Sequence, residues 1–205
     1  MIDKNILDFK EQYSKLKIQE NLQELYKYYR NKKYIAILLK QYNGILKNLE
    51  SINLLVSYAL YEDAFTIFRK YIETYFIIIS IYEHPDLAES YVEHDKYLGF
   101  KACRKNLELV KSFCSGKPEG FLEYGYLERY VDIEENFKYT TKTVAKVGNV
   151  IQFHKLYKMC NNFVHNNLTQ VSLNLTDAKE TIVNACEKTT KYLIDKFNVF
   201  IIKLN

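Results

Sequence analysis

The sequence predicts an all-α fold, a single helical bundle of about six or seven helices, on three observations. Gly and Pro number only 6 and 2 in 205 residues, so few points force the chain to reverse. Apolar positions recur at helical spacing through most of the chain. Hydrophobic residues make up 48%, with 19 Tyr and 12 Phe, enough for one sizeable core that needs neither disulfides nor metals. Residues 1–205 therefore read as one domain, with 1–32 as a peripheral helical segment and 33–205 as the bundle core.

Taken in order, Asp3–Arg30 carries Ile6, Phe9, Tyr13, Leu16, Leu22, Leu25 and Tyr29 among Lys, Glu and Gln, an amphipathic helix or two. Lys33–Tyr58 keeps a helical period through Ile37, Leu38, Ile45, Leu49, Ile52, Leu55 and Val56, with Gln41 out of character and Gly44 a mild weak point. An acidic stretch at Tyr61–Asp63 opens a third helix, which runs to about Tyr82 and closes at His84-Pro85-Asp86. A charged fourth helix is expected over Leu87–Phe113, then a loop at Ser115–Gly120. Tyr124–Phe137 reads as a helix and Tyr139–Val144, which has local strand propensity, as an irregular connection. Ile151–Leu168 is the next helix, Asn166–Thr176 a polar joint, and Asp177–Lys203 a terminal helix with Thr176 as its N-cap.

Net charge is +4, a mild basic bias compatible with a nucleic-acid partner but short of a dedicated basic surface. Cys103, Cys114, Cys160 and Cys186 form no CxxC pair or zinc-knuckle spacing, which reads as reduced thiols in a cytoplasmic protein. Met1–Lys10 has no signal-peptide apolar region. The apolar run Tyr75–Tyr82 is cut off by Arg69, Lys70 and Glu73 before it reaches the ~20 residues of a membrane span. A soluble protein with no membrane partner is the expectation.

Two polar features stand on otherwise apolar helices. In Ile151–Leu168, His154, Lys158, Asn161 and His165 follow at spacings of four, three and four and share one face. Phe153, Leu156, Tyr157, Cys160, Phe163 and Val164 form the adjoining apolar band. In the third helix Arg69 and Glu73 stand four apart among Ala64, Phe65, Phe68, Tyr71, Ile72, Tyr75 and Phe76. A buried guanidinium and carboxylate must pair or meet polar groups on a neighbouring helix, and the stripe offers such groups. The plainer readings are an ordinary (i, i+4) ion pair at the edge of a buried face and a hydrogen-bonded structural histidine.

Several chemistries lack their residues. His154 and His165 lie eleven apart, far from the i, i+4 geometry of a helical two-His site, so no metal is expected. His94-Asp95 is a lone dyad and reads as a solvated helix surface. There is no Gly-rich phosphate loop, GxSxG elbow or Walker lysine motif, and no cofactor is expected. Cys160 sits on the apolar band about 140° around the helix from His165, which favours a buried, inert thiol.

The segment Cys160-Asn161-Asn162-Phe163-Val164-His165 resembles the Arg-Asn-x-x-x-His signature of the HEPN superfamily (higher eukaryotes and prokaryotes nucleotide-binding), all-α bundles common among bacterial toxins and antiviral defence ribonucleases. Asn161 and His165 match, and Cys160 stands where the arginine belongs. The segment Ala64–Glu73 is also similar to a branch of uncharacterised helical proteins in which an Arg-x-x-x-Glu helix precedes a late helix ending in a Val-His pair, here Val164-His165.

The resemblance implies a metal-independent endoribonuclease that uses a 2′-hydroxyl as nucleophile. His165 would move protons, Arg69 or Lys158 would supply the charge that Cys160 lacks, and Glu73 would orient the imidazole, with Asn161 beside them. Lys158, His154 and Asn162 are the expected RNA-binding side chains. It also implies a homodimer through the motif helices, with an antitoxin or another protein as a further partner. The alternative is a non-catalytic module binding RNA, nucleotide or a protein partner, its polar residues fixing helix register. A third is a structural, oligomerising bundle with Tyr26, Tyr28, Tyr29 and Tyr34 in an interface.

Overall fold

The structure, a computed structural model, describes residues 2–14, 33–92, 94, 140–164 and 175–202. Its elements are α1 (Ile2–Ser14), α2 (Lys33–Ser57), α3 (Tyr61–Glu83), α4 (Thr141–Val147), a 3-10 turn (Ile151–Phe153), α5 (His154–Val164) and α6 (Leu175–Ile202). Residues 87–92 are helical as well, and no strand occurs among the described residues. The chain forms the all-α bundle that its periodicity predicts.

α3 is the central element, packing against α2, α4, α5 and α6. It buries Phe65, Phe68, Tyr71, Ile72, Tyr75, Phe76, Ile78 and Ile79 on several sides. Each such side chain contributes roughly 1.5–3 kcal/mol when removed from water. The same core continues between α1, α2 and α6, where Phe9 and Phe197 meet edge-to-face at 5.4 Å and Tyr42 lies 4.5 Å from Phe197. Phe9 is fully buried, so α1 delivers a ring to the common core.

Polar ties fix the register of α3 against α6. Thr189 donates to the Ala185 carbonyl at 2.7 Å, which leaves its oxygen to accept from the Tyr71 hydroxyl at 2.6 Å. Thr190 lies 3.1 Å from the same phenol. At the far end of α3, Lys196 pairs with Glu83 at 2.6 Å and lies over the Tyr82 ring.

Both sharp reversals use the left-handed conformation. Ala59 ends α2 at φ 58° while Leu60 N–H bonds back to the Leu55 carbonyl, and Asn149 ends α4 at φ 54° while Val150 N–H bonds to the Ala145 carbonyl. Gly148 lies against α3, where a Cβ would meet the backbone N of Ser80 at 3.1 Å. Ser80 Oγ in turn donates to the Val144 carbonyl at 2.7 Å.

Three sequence expectations change. Residues 141–144 begin a helix instead of an irregular connection, because Thr140 caps it, accepting from Thr143 N–H at 3.2 Å, and Val144 and Ala145 bury against α3. α6 starts at Leu175, so Thr176 lies within it and is not its N-cap. His94 is half-buried and lines a cleft, unlike a solvated surface dyad. The expectations for Leu16–Arg30, the rest of the fourth helix, the Ser115–Gly120 loop, Tyr124–Phe137, residues 166–174 of the polar joint, Cys103, Cys114, Asp95, Tyr26, Tyr28 and Tyr29 lie outside the described residues.

Candidate functional site

α5 runs along α3, with Phe153 edge-to-face on Tyr75 at 5.6 Å and Tyr157 opposite Arg69 two turns of α3 earlier. The apolar band of α5 holds this contact, since Tyr157 and Cys160 are buried and Leu156 packs against the core. The same packing brings Tyr157, at the border of band and stripe, up to Arg69.

Arg69 Nη2 donates to the Tyr157 hydroxyl at 3.2 Å, and the guanidinium carbon lies 5.4 Å from the centre of that ring. Glu73 Oε1 stands 3.6 Å from Nη2, an ion pair without a hydrogen bond, with both side chains about a third exposed, 27% and 34%. Partial burial opposes the charge on Arg69. The Tyr157 hydroxyl and the Glu73 carboxylate outweigh it and hold the guanidinium protonated. Its Nε is buried without a protein partner.

Cys160 lies one turn beyond Tyr157 and is wholly buried. Burial pushes its thiol up to about 12, against a smaller lowering effect of Arg69, so the sulfur is protonated near neutrality and is no nucleophile. Asn161 is half-buried, and its Oδ1 is buried without a protein partner. α3 and α5 thus each carry a buried polar atom without a protein partner, Arg69 Nε and Asn161 Oδ1.

His154 stacks on Tyr157 with ring centroids 5.7 Å apart. Its imidazole is held below the usual value by partial burial first, then by the positive charges of Lys158 and Lys142. Lys158 is exposed. Arg69, Glu73 and His154 are therefore brought together around Tyr157, with Lys158 and Asn161 on the same helix as that ring. The backbone of Asn162 continues α5, its side chain lies outside the described set, and so does the whole of His165.

On its other side Glu73 lines a cleft of about 370 Å³, together with Gln41, Phe76, Ile77, His94 and Thr141. Gln41, which interrupts the apolar period of α2, has its place here. Among the described residues no cluster of three His, Cys, Asp or Glu is arranged to hold a metal ion, and no helix is long and apolar enough to cross a membrane.

Sequence reasoning missed Tyr157 as a site residue and assigned it to the apolar band. Its signal was position: it stands three residues after His154 and four before Asn161, at the border of band and stripe.

A family model described as "Family of unknown function (DUF5677)" matches residues 34–181. That span begins in α2 and ends in α6, and includes α3, α4 and α5. No curated protein and no solved structure matches the chain.

Proposed function

The chain belongs to the DUF5677 family, whose function is unknown, and from its site we propose a HEPN-like RNA-targeting protein in which Arg69 takes the place of the missing signature arginine. One observation carries the reading: the guanidinium of Arg69, tied to Tyr157 and Glu73, meets α5 one turn before Cys160 and keeps about a quarter of its side chain exposed. A fixed, partly exposed guanidinium is suited to a phosphate oxygen.

Within this reading the reaction needs no metal. The 2′-hydroxyl of one nucleotide loses its proton to a base and attacks the adjacent phosphorus. The P–O5′ bond breaks, the leaving oxygen takes a proton from an acid, and a 2′,3′-cyclic phosphate and a 5′-hydroxyl result. Arg69 offsets the charge that builds on the phosphoryl oxygens. His165 is the proton-transfer group by its place in the signature, Glu73 orients its partners, and Asn161 supplies a carboxamide. A homodimer through the motif helices and a toxin or defence role with a protein antagonist belong to the same proposal.

A specific observation supports a second reading, a binding module that does not cut. Tyr157 is buried and Glu73 already neutralises Arg69 in part, so the same contacts also serve to lock α5 on α3. Incubating the wild type, Arg69→Ala and His165→Ala with labelled single-stranded RNA in EDTA separates the two. Cleavage to cyclic-phosphate ends in the wild type alone supports the nuclease. Binding without cleavage supports the module, and wild type that neither binds nor cuts RNA contradicts both.

A further inference from the structure

The chain's charge is unevenly placed. Between Thr140 and Asn161 stand Lys142, Lys146, Lys155 and Lys158 with no Asp or Glu. Of the 29 Lys and Arg in the chain, the other 25 are balanced by 25 Asp and Glu, so the whole formal net charge of +4 equals the charge of this one segment.

The fold makes that segment a single body. α4 and α5 are joined through the Asn149 reversal and the 3-10 turn, and both pack on α3, α4 at Ser80 and α5 at Arg69. Val144, Ala145, Tyr157 and Cys160 face the core, and all four lysines are exposed. Lys142 and Lys158, sixteen residues apart in sequence, are exposed on two helices that pack on the same helix, α3, and the charge of each is felt by His154. His154 stacks on Tyr157, and Tyr157 holds Arg69. Positive groups thus lead from the candidate phosphate site to the outer turn of α4, where Lys142 and Lys146 are one helical turn apart, about 6 Å along the axis.

We propose that the α4–α5 hairpin is the surface along which the backbone of a single-stranded RNA runs as it enters the Arg69 site, with Lys142 and Lys146 on the phosphates outside that site and Lys155 and Lys158 nearer to it. The occupant follows from charge complementarity: a cationic segment with no carboxylate of its own attracts a polyanion, and its joining to α5, which holds Arg69, orients that polyanion toward the site. The inference rests on the RNA reading above and adds where the strand lies.

The test is the salt dependence of binding of a fluorescein-labelled single-stranded RNA, read by anisotropy for wild type, Lys142→Gln/Lys146→Gln, and the α6 surface control Lys188→Gln/Lys191→Gln. Single-strand binding loses about 0.7 in the slope of log K against log salt for each phosphate neutralised. The hairpin double variant is expected to flatten the slope by about 1.4 with unchanged melting temperature, and the α6 control to match wild type. Wild-type slopes in the hairpin variant, with Arg69→Ala still weakening binding, overturn the hairpin surface and leave the RNA site standing. Absence of RNA binding in wild type overturns both. Salt-sensitive binding to phosphatidylserine vesicles that the hairpin variant loses, without any RNA binding, overturns the hairpin as an RNA surface and assigns it to anionic lipid.

Discussion

Arg69 and Tyr157, 88 positions apart, meet where α3 crosses α5, the guanidinium donating to the phenol at 3.2 Å and lying over its ring. The contact does two things at once. It joins the central helix to the helix that carries the polar stripe, and it fixes a partly exposed cation against α5 one turn before Cys160.

Tyr157→Phe keeps the ring and its contact with the guanidinium and removes only the acceptor. Urea denaturation is expected to show a loss of about 1 kcal/mol, the usual worth of such a bond. RNA affinity is expected to fall less than in Arg69→Ala, because Glu73 still holds the guanidinium near its place. A larger loss of affinity in Tyr157→Phe than in Arg69→Ala contradicts the ordering of roles.

Cys160→Arg completes an Arg-Asn-x-x-x-His sequence at 160–165, yet it is expected to destabilise the protein. The side chain is wholly buried and lies in the field of Arg69, so a second guanidinium enters without a carboxylate of its own. Unpaired buried charge costs about 3–5 kcal/mol. Chemical denaturation reads this directly, and a Cys160→Arg protein as stable as wild type means that Arg69 does not occupy the space of the signature arginine.

Much of this arrangement was legible in the chain before any coordinates. The boundaries of α2 and α3 follow from apolar residues recurring on a helical period, and the Arg69–Glu73 pair and the stripe of α5 stand out because they break it. α4 was not legible, since Thr141, Thr143 and Val144 favour strand locally, and the Thr140 cap and burial against Ser80 override that preference. The junction at Tyr157 was hidden for a different reason. A tyrosine in an apolar band looks like core, and the use of its hydroxyl depends on a partner 88 residues away that no local pattern encodes.

Gly148→Ala tests the α3–α4 crossing. The backbone of Gly148 has an ordinary φ of −75°, so strain comes only from space. A Cβ there meets Ser80 N at 3.1 Å, Ser80 Oγ at 3.2 Å and Ile79 Cγ2 at 3.3 Å, and the first of these belongs to a rigid central helix. A loss of roughly 1–3 kcal/mol in a denaturation experiment is expected, as for other overpacked sites.

His154 gives the pH dependence its sign. Its folded pKa lies below the ordinary 6.5, first through partial burial and then through Lys158 and Lys142. The unfolded chain therefore binds a proton more readily, so the contribution of His154 is complete above 6.5 and is lost as pH falls through that value toward the folded one. The melting temperature of wild type is expected to drop more than that of His154→Gln between about pH 7.5 and about pH 5.5. Parallel curves contradict the assignment.

The most direct measurement is the affinity of a labelled single-stranded RNA for wild type, Arg69→Lys and Arg69→Ala, each first shown by its melting curve to be folded. The account predicts binding by wild type, a loss of about tenfold or more in Arg69→Ala, as expected when a charged hydrogen bond to phosphate is removed, and incomplete rescue by Arg69→Lys, whose ammonium lacks the planar fork. Equal affinity in all three contradicts the claim that Arg69 is the phosphate-binding group of this protein.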